Sequence, residues 1–184
     1  MQIRPMCVAD AAGVARVYVE TWQSAYRGLL PEAVLDAMDI DRDTRRWQQE
    51  IARQPLFEIG YVAESAAGVI VGLITAGPER RAELGEAGEI YRLYVLPEAQ
   101  GLGIGKALVA RVFKVLIAGG AVRIRVGVLS DNRAGRRFYE RLGAVPDRAR
   151  PFELGGQRLF ETLYEWPEPA TVFSRFDRSD QAPG

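Results

Sequence analysis

Histidine is absent from this chain, and cysteine occurs once, at position 7. Without histidine there is no Ser-His-Asp or Cys-His couple. A zinc site would also lack its commonest nitrogen ligand, so no metal is expected. A single cysteine forbids an intrachain disulfide. Acid–base chemistry must therefore fall to Glu, Asp, Tyr, Lys, Cys or water. An excess of one charge is missing too: 24 Lys plus Arg balance 24 Asp plus Glu. Proteins that coat duplexes are usually basic, so nucleic acid is not an expected partner. No apolar run approaches membrane-spanning length, and residues 1–5 lack the apolar stretch of a signal peptide. The expectation is a cytoplasmic protein with no membrane partner.

What is present suits one domain. The chain has 184 residues, 48% of them hydrophobic and 26% charged, enough for a sizeable core. Ile3–Met6 reads as a first strand. Val14, Val17, Tyr18 and Trp22 recur at helical spacing within Asp10–Tyr26, with Asp10 as its cap. Pro31–Met38 is a second helical piece. A third, capped by Asp41 or Asp43, runs to about Gln54. Alternation marks strands at Leu56–Glu64, Val69–Ala76, Glu89–Leu96 and Val122–Leu129, with a charged loop at Pro78–Gly88. Helices are expected over Leu102–Ala118, ended by Gly119-Gly120, and over Asn132–Leu142, closed by Gly143. Ala144–Leu154 and Arg158–Trp166 read as strands around the Gly155-Gly156 turn. The order β-α-α-β-β-β-α-β-α-β-β indicates an α/β (α+β) fold, a mixed sheet flanked by helices. One domain spans 1–167, and 168–184 reads as a loosely held tail, with Phe173 and Phe176 able to dock on the body.

The densest signal lies at 89–106. A strand ends at Leu96-Pro97, and Gln100-Gly101-Leu102-Gly103-Ile104-Gly105-Lys106 follows and opens a helix. Such a layout aims backbone N–H groups and a positive helix end at one point, where a phosphate or pyrophosphate would sit. A Walker A loop would need glycine at position 100 and Ser or Thr at 107, where Gln100 and Ala107 stand. A dinucleotide fingerprint would need a third glycine at Lys106 and an acidic residue ending the next strand, where Asp131 of Leu129-Ser130-Asp131 comes a little late. A purely structural turn seldom needs three glycines, because each carries a backbone-entropy cost.

The loop resembles the Gln/Arg-x-x-Gly-x-Gly/Ala element of the GNAT superfamily, the acyl-CoA-dependent N-acetyltransferases. A second match follows a strand later: Asn132-Arg133-Ala134-Gly135-Arg136-Arg137-Phe138-Tyr139-Glu140-Arg141-Leu142-Gly143-Ala144 resembles that family's Asn-x-x-Ala-x-x-Phe-Tyr-x-x-x-Gly helix. The likeness spans roughly residues 2–166. It includes Ile3-Arg4-Pro5 and Trp22-Gln23-Ser24-Ala25-Tyr26-Arg27-Gly28-Leu29-Leu30-Pro31.

The resemblance implies a single, mostly antiparallel mixed sheet of about seven strands, with acetyl-CoA as acyl donor. Loop N–H groups of residues 102–106 (Leu102, Gly103, Ile104, Gly105, Lys106) would hold the pyrophosphate, with Gln100 and Gly101 shaping the entry. Side chains at Gly103 or Gly105 would stand between backbone and phosphate. The strand Leu93, Tyr94, Val95 would bind the pantetheine arm through the main chain of Leu93 and Val95, with the Val95 N–H facing the thioester oxygen. Asn132 would hydrogen-bond the pantetheine amides, cap its helix, or both. Tyr139 is the implied partner of the departing sulfur, as proton donor or as hydrogen-bond donor to the thiolate.

Glu89 is the candidate base, on one face with Tyr91, Leu93 and Val95 by strand alternation; an exposed strand-edge carboxylate is the alternative. Many members that modify protein N-termini carry a glutamate in the strand before the Asn helix, and Gly127 stands at that position here. Tyr26, Arg27 and Arg92 are candidate acceptor contacts. The implied activity is transfer of an acetyl group to a primary amine by direct attack in a ternary complex. The acceptor is a small molecule or a protein amine, and a homodimer is the family's habit. An acyl-CoA sensor without turnover is the other reading.

Overall fold

The computed structural model describes residues 1–53, 58–80 and 87–179. Seven strands form one sheet in the order β1-β2-β3-β4-β5-β7-β6. They are β1 (Gln2–Pro5), β2 (Ile59–Glu64), β3 (Ile70–Pro78), β4 (Ala87–Val95), β5 (Arg123–Leu129), β6 (Val145–Leu154) and β7 (Gln157–Trp166). Every neighbouring pair is antiparallel except β4 and β5, which run parallel. A parallel pair needs a crossover, and α4 (Ile104–Ala118) supplies it. The other helices are α1 (Ala11–Ala25), α2 (Glu32–Asp36), α3 (Ile40–Ala52), α5 (Arg133–Arg141) and α6 (Pro169–Ser179).

Two helical layers cover the sheet. The α4 side chains Leu108, Val109, Val112 and Phe113 are fully buried against one face. A Cβ built on Gly72 of β3 would touch Leu108 and Ile104 of α4, which fixes that face. Val14, Ala15 and Val17 of α1 bury against the other, with Trp47 of α3 behind them. Trp166, wholly buried, packs edge-on to Phe113 at 4.9 Å and donates its indole N–H to the Leu142 carbonyl at 2.9 Å.

Helix ends depart from the expected caps. Asp10 does not cap α1; its carboxylate accepts two hydrogen bonds from Arg4, at 2.7 and 2.8 Å, and one from the Cys7 N–H at 2.8 Å. Each buried aliphatic side chain contributes roughly 1.5–3 kcal/mol, against about 1 kcal/mol for a cap. Packing of α1 therefore outweighs its missing side-chain cap. Asp39, rather than Asp41 or Asp43, caps α3 by accepting the Arg42 N–H at 2.7 Å. Asp43 is instead buried and paired with Arg46 at 2.9 Å.

Residues 169–179, expected to be a tail, form α6, and its Val172 and Phe173 pack on the main core. The first strand residues expected at Leu56 and Phe57, the loop residues 81–86, the side chain of Phe176 and residues 180–184 lie outside the described parts. Among the described residues no helix is long and apolar enough to cross a membrane.

Candidate active site

β4 carries one residue too many for its partner. Ala76 of β3 opposes Ile90, and the next β3 residue, Thr75, opposes Arg92. Tyr91 is thus a bulge residue, and the bulge reverses the side-chain phase of the strand. Ile90, Leu93 and Val95 face α4, whereas Glu89, Arg92 and Tyr94 face α1 and α3. This overturns the expectation that Glu89 shares a face with Leu93 and Val95, because simple alternation ignored the extra residue. Glu89 is also engaged elsewhere. Its Oε1 accepts from Arg80 at 2.6 Å, and its Oε2 accepts the Arg80 backbone N–H at 3.0 Å.

The parallel pair then opens. β4 and β5 are matched only from Ala87↔Arg123 to Ile90↔Val126. Beyond that, β4 continues along β3 and β5 along β7, so the two strands part. The Leu96 N–H bonds the Val71 carbonyl at 2.9 Å. Gly72 and Val95 are therefore a non-hydrogen-bonded pair, and the N–H and C=O of Val95 point away from β3. The same alternation turns the main chain of Leu93 into the opened seam. The Val95 carbonyl accepts from Gln100 Nε2 at 3.0 Å and from Thr21 Oγ1 at 3.4 Å.

The glycine loop closes one end of the seam. Gly101 and Gly103 both adopt φ of +78°, a conformation that costs other residues energy. A Cβ at either would meet nothing within 4 Å, so both border open space. Gly103 sits at the N-cap of α4 with no side chain capping the helix. The first N–H groups of that 15-residue helix have no acceptor within the helix, an arrangement that suits an anion. Gly105 has another role: a Cβ there would stand 3.1 Å from the Phe138 ring. Its missing side chain serves the approach of α5 to α4. Leu102 points to solvent, 71% exposed.

Helix α5 is fixed by its own polar contacts. Asn132 Oδ1 accepts the Gly135 N–H at 2.9 Å and caps it. The Tyr164 hydroxyl donates to Glu140 at 2.6 Å and accepts from Arg136 at 2.9 Å, tying α5 to β7. This presents Tyr139, 8% exposed, to the seam, with its ring against Phe138 and Trp166. Burial raises the Tyr139 phenol well above the usual tyrosine range, and neighbouring Tyr26 adds to it. Burial likewise raises Tyr26, opposed by the Asn132 side chain within hydrogen-bonding reach.

These parts enclose one cleft of about 490 Å³. It is lined by Leu93, Tyr94, Val95, Gln100, Gly101, Gly103, Ile104, Gly105, Lys106, Asn132, Tyr139, Tyr26 and Arg92, all expected there. Leu102, Arg27 and Glu89 are not among its lining residues. Arg27 lies 3.9 Å from Glu32 and is more than half exposed. Arg92 reaches the cleft while bonded to Glu50 at 2.9 Å and stacked over Trp47 at 4.8 Å. Thr21 and Gly127 also line it, beyond the contacts expected from the sequence. Thr21 precedes Ala25, another lining residue, by one helical turn, which was the available signal. Among the described residues no group of three or more His, Cys, Asp or Glu is gathered to hold a metal ion.

The chain is similar to known proteins along nearly its whole length. The model of the acetyltransferase (GNAT) family matches residues 16–144. A Bacillus subtilis protein, the uncharacterized N-acetyltransferase YuaI, is 27% identical over 176 residues, covering 96% of this chain and 98% of that protein. The PaiA N-acetyltransferase of Thermoplasma acidophilum, solved in complex with coenzyme A, superposes with a TM-score of 0.71 at 23% identity, over 90% of this chain and 98% of its own. YncA of Salmonella typhimurium, a putative acetyltransferase solved with its cofactor acetyl-CoA, gives 0.68 at 25% identity, over 90% and 92%. The seven-stranded mixed sheet, the opened seam and the family match agree: the chain belongs to the acetyltransferase (GNAT) family.

Proposed function

We propose that this protein transfers the acetyl group of acetyl-CoA to a primary amine, by direct attack while both substrates are bound. The observation that carries the reading is the parting of β4 from β5 directly beside the uncapped start of α4. An extended amide-bearing chain ending in a diphosphate fits that shape. Amides pair with strand main chain, and a diphosphate suits helix N–H groups bordered by glycines that leave open space. Two similar proteins were solved with coenzyme A or acetyl-CoA, which supports the same donor here.

Acetyl-CoA would supply the activated thioester, and the chain's own groups do the rest. N–H groups at the start of α4, from Gly103 to Lys106, bind the diphosphate. The main-chain groups of Leu93 and Val95 that face the seam hold the pantetheine amides. An N–H there donates to the thioester oxygen as charge grows on it, a type of contact whose loss costs 10²–10³ in rate in other enzymes. Asn132, already capping α5, offers its amide nitrogen to the same arm.

Tyr139 stands by the departing sulfur. Full proton transfer from an ordinary phenol to a thiolate is uphill by about 2 kcal/mol, and burial raises Tyr139 further. Its part is therefore mainly a hydrogen bond that stabilises the thiolate, with the proton following. The acceptor enters from the α1 side, past Thr21, Tyr26 and Arg92. No serine or cysteine among the cleft-lining residues offers an acyl-enzyme route.

Mixing the protein with acetyl-CoA and a panel of amines, and following free thiol, tests the reading. Amine-dependent thiol release is expected. Tight acetyl-CoA binding with no thiol released for any amine would favour a sensor instead.

A further inference from the structure

The amine must lose a proton before it attacks, and Glu89 is committed to Arg80 away from the cleft. Another carboxylate lies beside the seam, over Gly127 and just behind the cleft-lining residues. Gly127 is the first residue of β5 beyond the last matched pair, Ile90↔Val126, so it stands at the fork, and it lines the cleft. Its bare backbone is covered by a neighbour. A Cβ built on Gly127 would overlap Oε2 of Glu161 and lie 3.3 Å from its carboxyl carbon. The Glu161 carboxylate occupies the space a side chain at 127 would fill.

We propose that Glu161, reaching from β7 over Gly127, is the carboxylate that binds the acceptor's ammonium group and takes its proton. The assignment rests on the amine-acetylating reading above.

Sheet register puts this carboxylate on the acceptor's side. Gly127 pairs with Leu163 and Leu129 with Glu161, so these four residues share one face. On that face Leu129 clusters with Leu30, Leu35 and Leu159, with Tyr26 packed against them. Tyr139 belongs to the opposite face, in the core around α4 and Trp166. The seam thus has a carboxylate on one side and a phenol on the other, as a reaction that removes a proton from nitrogen and stabilises sulfur requires.

Glu161 is also held in a defined pose. Its Oε1 accepts from Arg150 Nε at 2.6 Å, which leaves Oε2 turned toward Gly127. The side chain is 22% exposed, enough to meet a ligand or a water at the fork. A β-branched or larger residue at 127 would push it away. That accounts for glycine in the middle of a strand, where it otherwise weakens the structure.

The chemistry balances. Glu161 accepts one proton from the ammonium, and the freed lone pair forms the C–N bond at the thioester carbon. The C–S bond breaks with its electron pair on sulfur. The nitrogen's second proton offsets the one that sulfur takes up beside Tyr139. Amide and thiol are the products, and the proton held by Glu161 leaves to water.

The test compares two acceptors at pH 7: an alkylamine, protonated at this pH, and hydroxylamine, small and already uncharged. Thiol release is followed in wild type, Glu161→Gln and Gly127→Ala, with the uncatalysed rate subtracted and melting and acetyl-CoA affinity recorded. Glu161→Gln should lose about 10²–10⁴-fold in kcat/KM for the alkylamine, the usual worth of a positioned base. It should lose less than about tenfold for hydroxylamine and keep acetyl-CoA affinity. Gly127→Ala, which keeps the carboxylate but displaces it, should show the same selective loss.

Equal losses for both acceptors, or alkylamine rates within about threefold of wild type in both variants, would overturn the assignment while leaving amine acetylation standing. A wild-type protein that releases no thiol with any acceptor would overturn both.

Discussion

Gly105 and Phe138 meet where α4 crosses α5: a Cβ on the glycine would stand 3.1 Å from the ring. Position 105 therefore controls how closely Tyr139, the residue after Phe138, approaches the seam. Gly105→Val overpacks this crossing and should cost about 1–3 kcal/mol of stability. Thermal melting measures it, and a variant melting with wild type would show the crossing to be looser than its distances say.

Gly103 answers to a different constraint. Its φ of +78° borders open space, so a substitution there is strained without clashing with the protein. Gly103→Ala should weaken CoA binding by tenfold or more, because the strained loop shifts the N–H groups that face the diphosphate. The strain itself is about 1–2 kcal/mol. Calorimetric titration with CoA measures the affinity; an unchanged value would remove the loop from the binding site.

Tyr139→Phe deletes one hydroxyl from a buried ring. Turnover should fall about 10–100-fold while acetyl-CoA affinity holds, since the hydroxyl serves the leaving sulfur more than the bound thioester. Burial holds the phenol above the usual tyrosine range. It therefore stays protonated up to pH 10, and the wild-type rate should show no alkaline decline from this group below that. A variant with full turnover would assign the sulfur's partner elsewhere.

Arg4 and Asp10 set a pH limit on stability. Hydrogen bonds from Arg4, then from the Cys7 N–H, outweigh desolvation and lower the Asp10 carboxyl below its usual value. A depressed carboxyl contributes stability that is fully present above its unfolded value, near 3.9, and lost as pH falls through the folded value. Asp10→Asn should thus destabilise at pH 7 by about 1–3 kcal/mol. The gap to wild type should close progressively below about pH 4. Denaturant melts at pH 7 and pH 3 measure it; a gap that does not narrow would exclude ionisation as its source.

Much of the site was legible because its chemistry is local. Gly101 and Gly103 require a backbone that few other residues adopt, and Asn132 caps the helix it begins, so loop and helix could be read from contiguous residues. Relations between distant segments could not. The run Glu89 to Val95 has apolar or amphipathic side chains at nearly every position, which hides the bulge at Tyr91 and misplaced Glu89. Asp10 reads as a helix cap until Arg4 folds onto it from β1. Gly127 departs from the family's pattern, and that much is visible in the sequence. That the glutamate filling its space comes from residue 161 depends on the register of β5 with β7, which no local spacing encodes. The final segment reads as polar chain; its helix follows from Val172 and Phe173 finding the body of the domain.

The surplus residue in β4 has a wider consequence. Upstream and downstream of Tyr91 the strand obeys opposite parities, so Ile90 and Leu93, three positions apart, end up on the same side. Tyr91 is the residue the ladder can spare: without it Ile90 and Arg92 would be neighbours opposite Ala76 and Thr75, and the sides from Arg92 to Val95 would stay as they are. Its presence instead puts a local bend in β4 at the point where the pairing with β5 stops, just past Ile90↔Val126. The surplus residue thus belongs to the parting of the two strands, and the faces on either side of it are set by the register with β3.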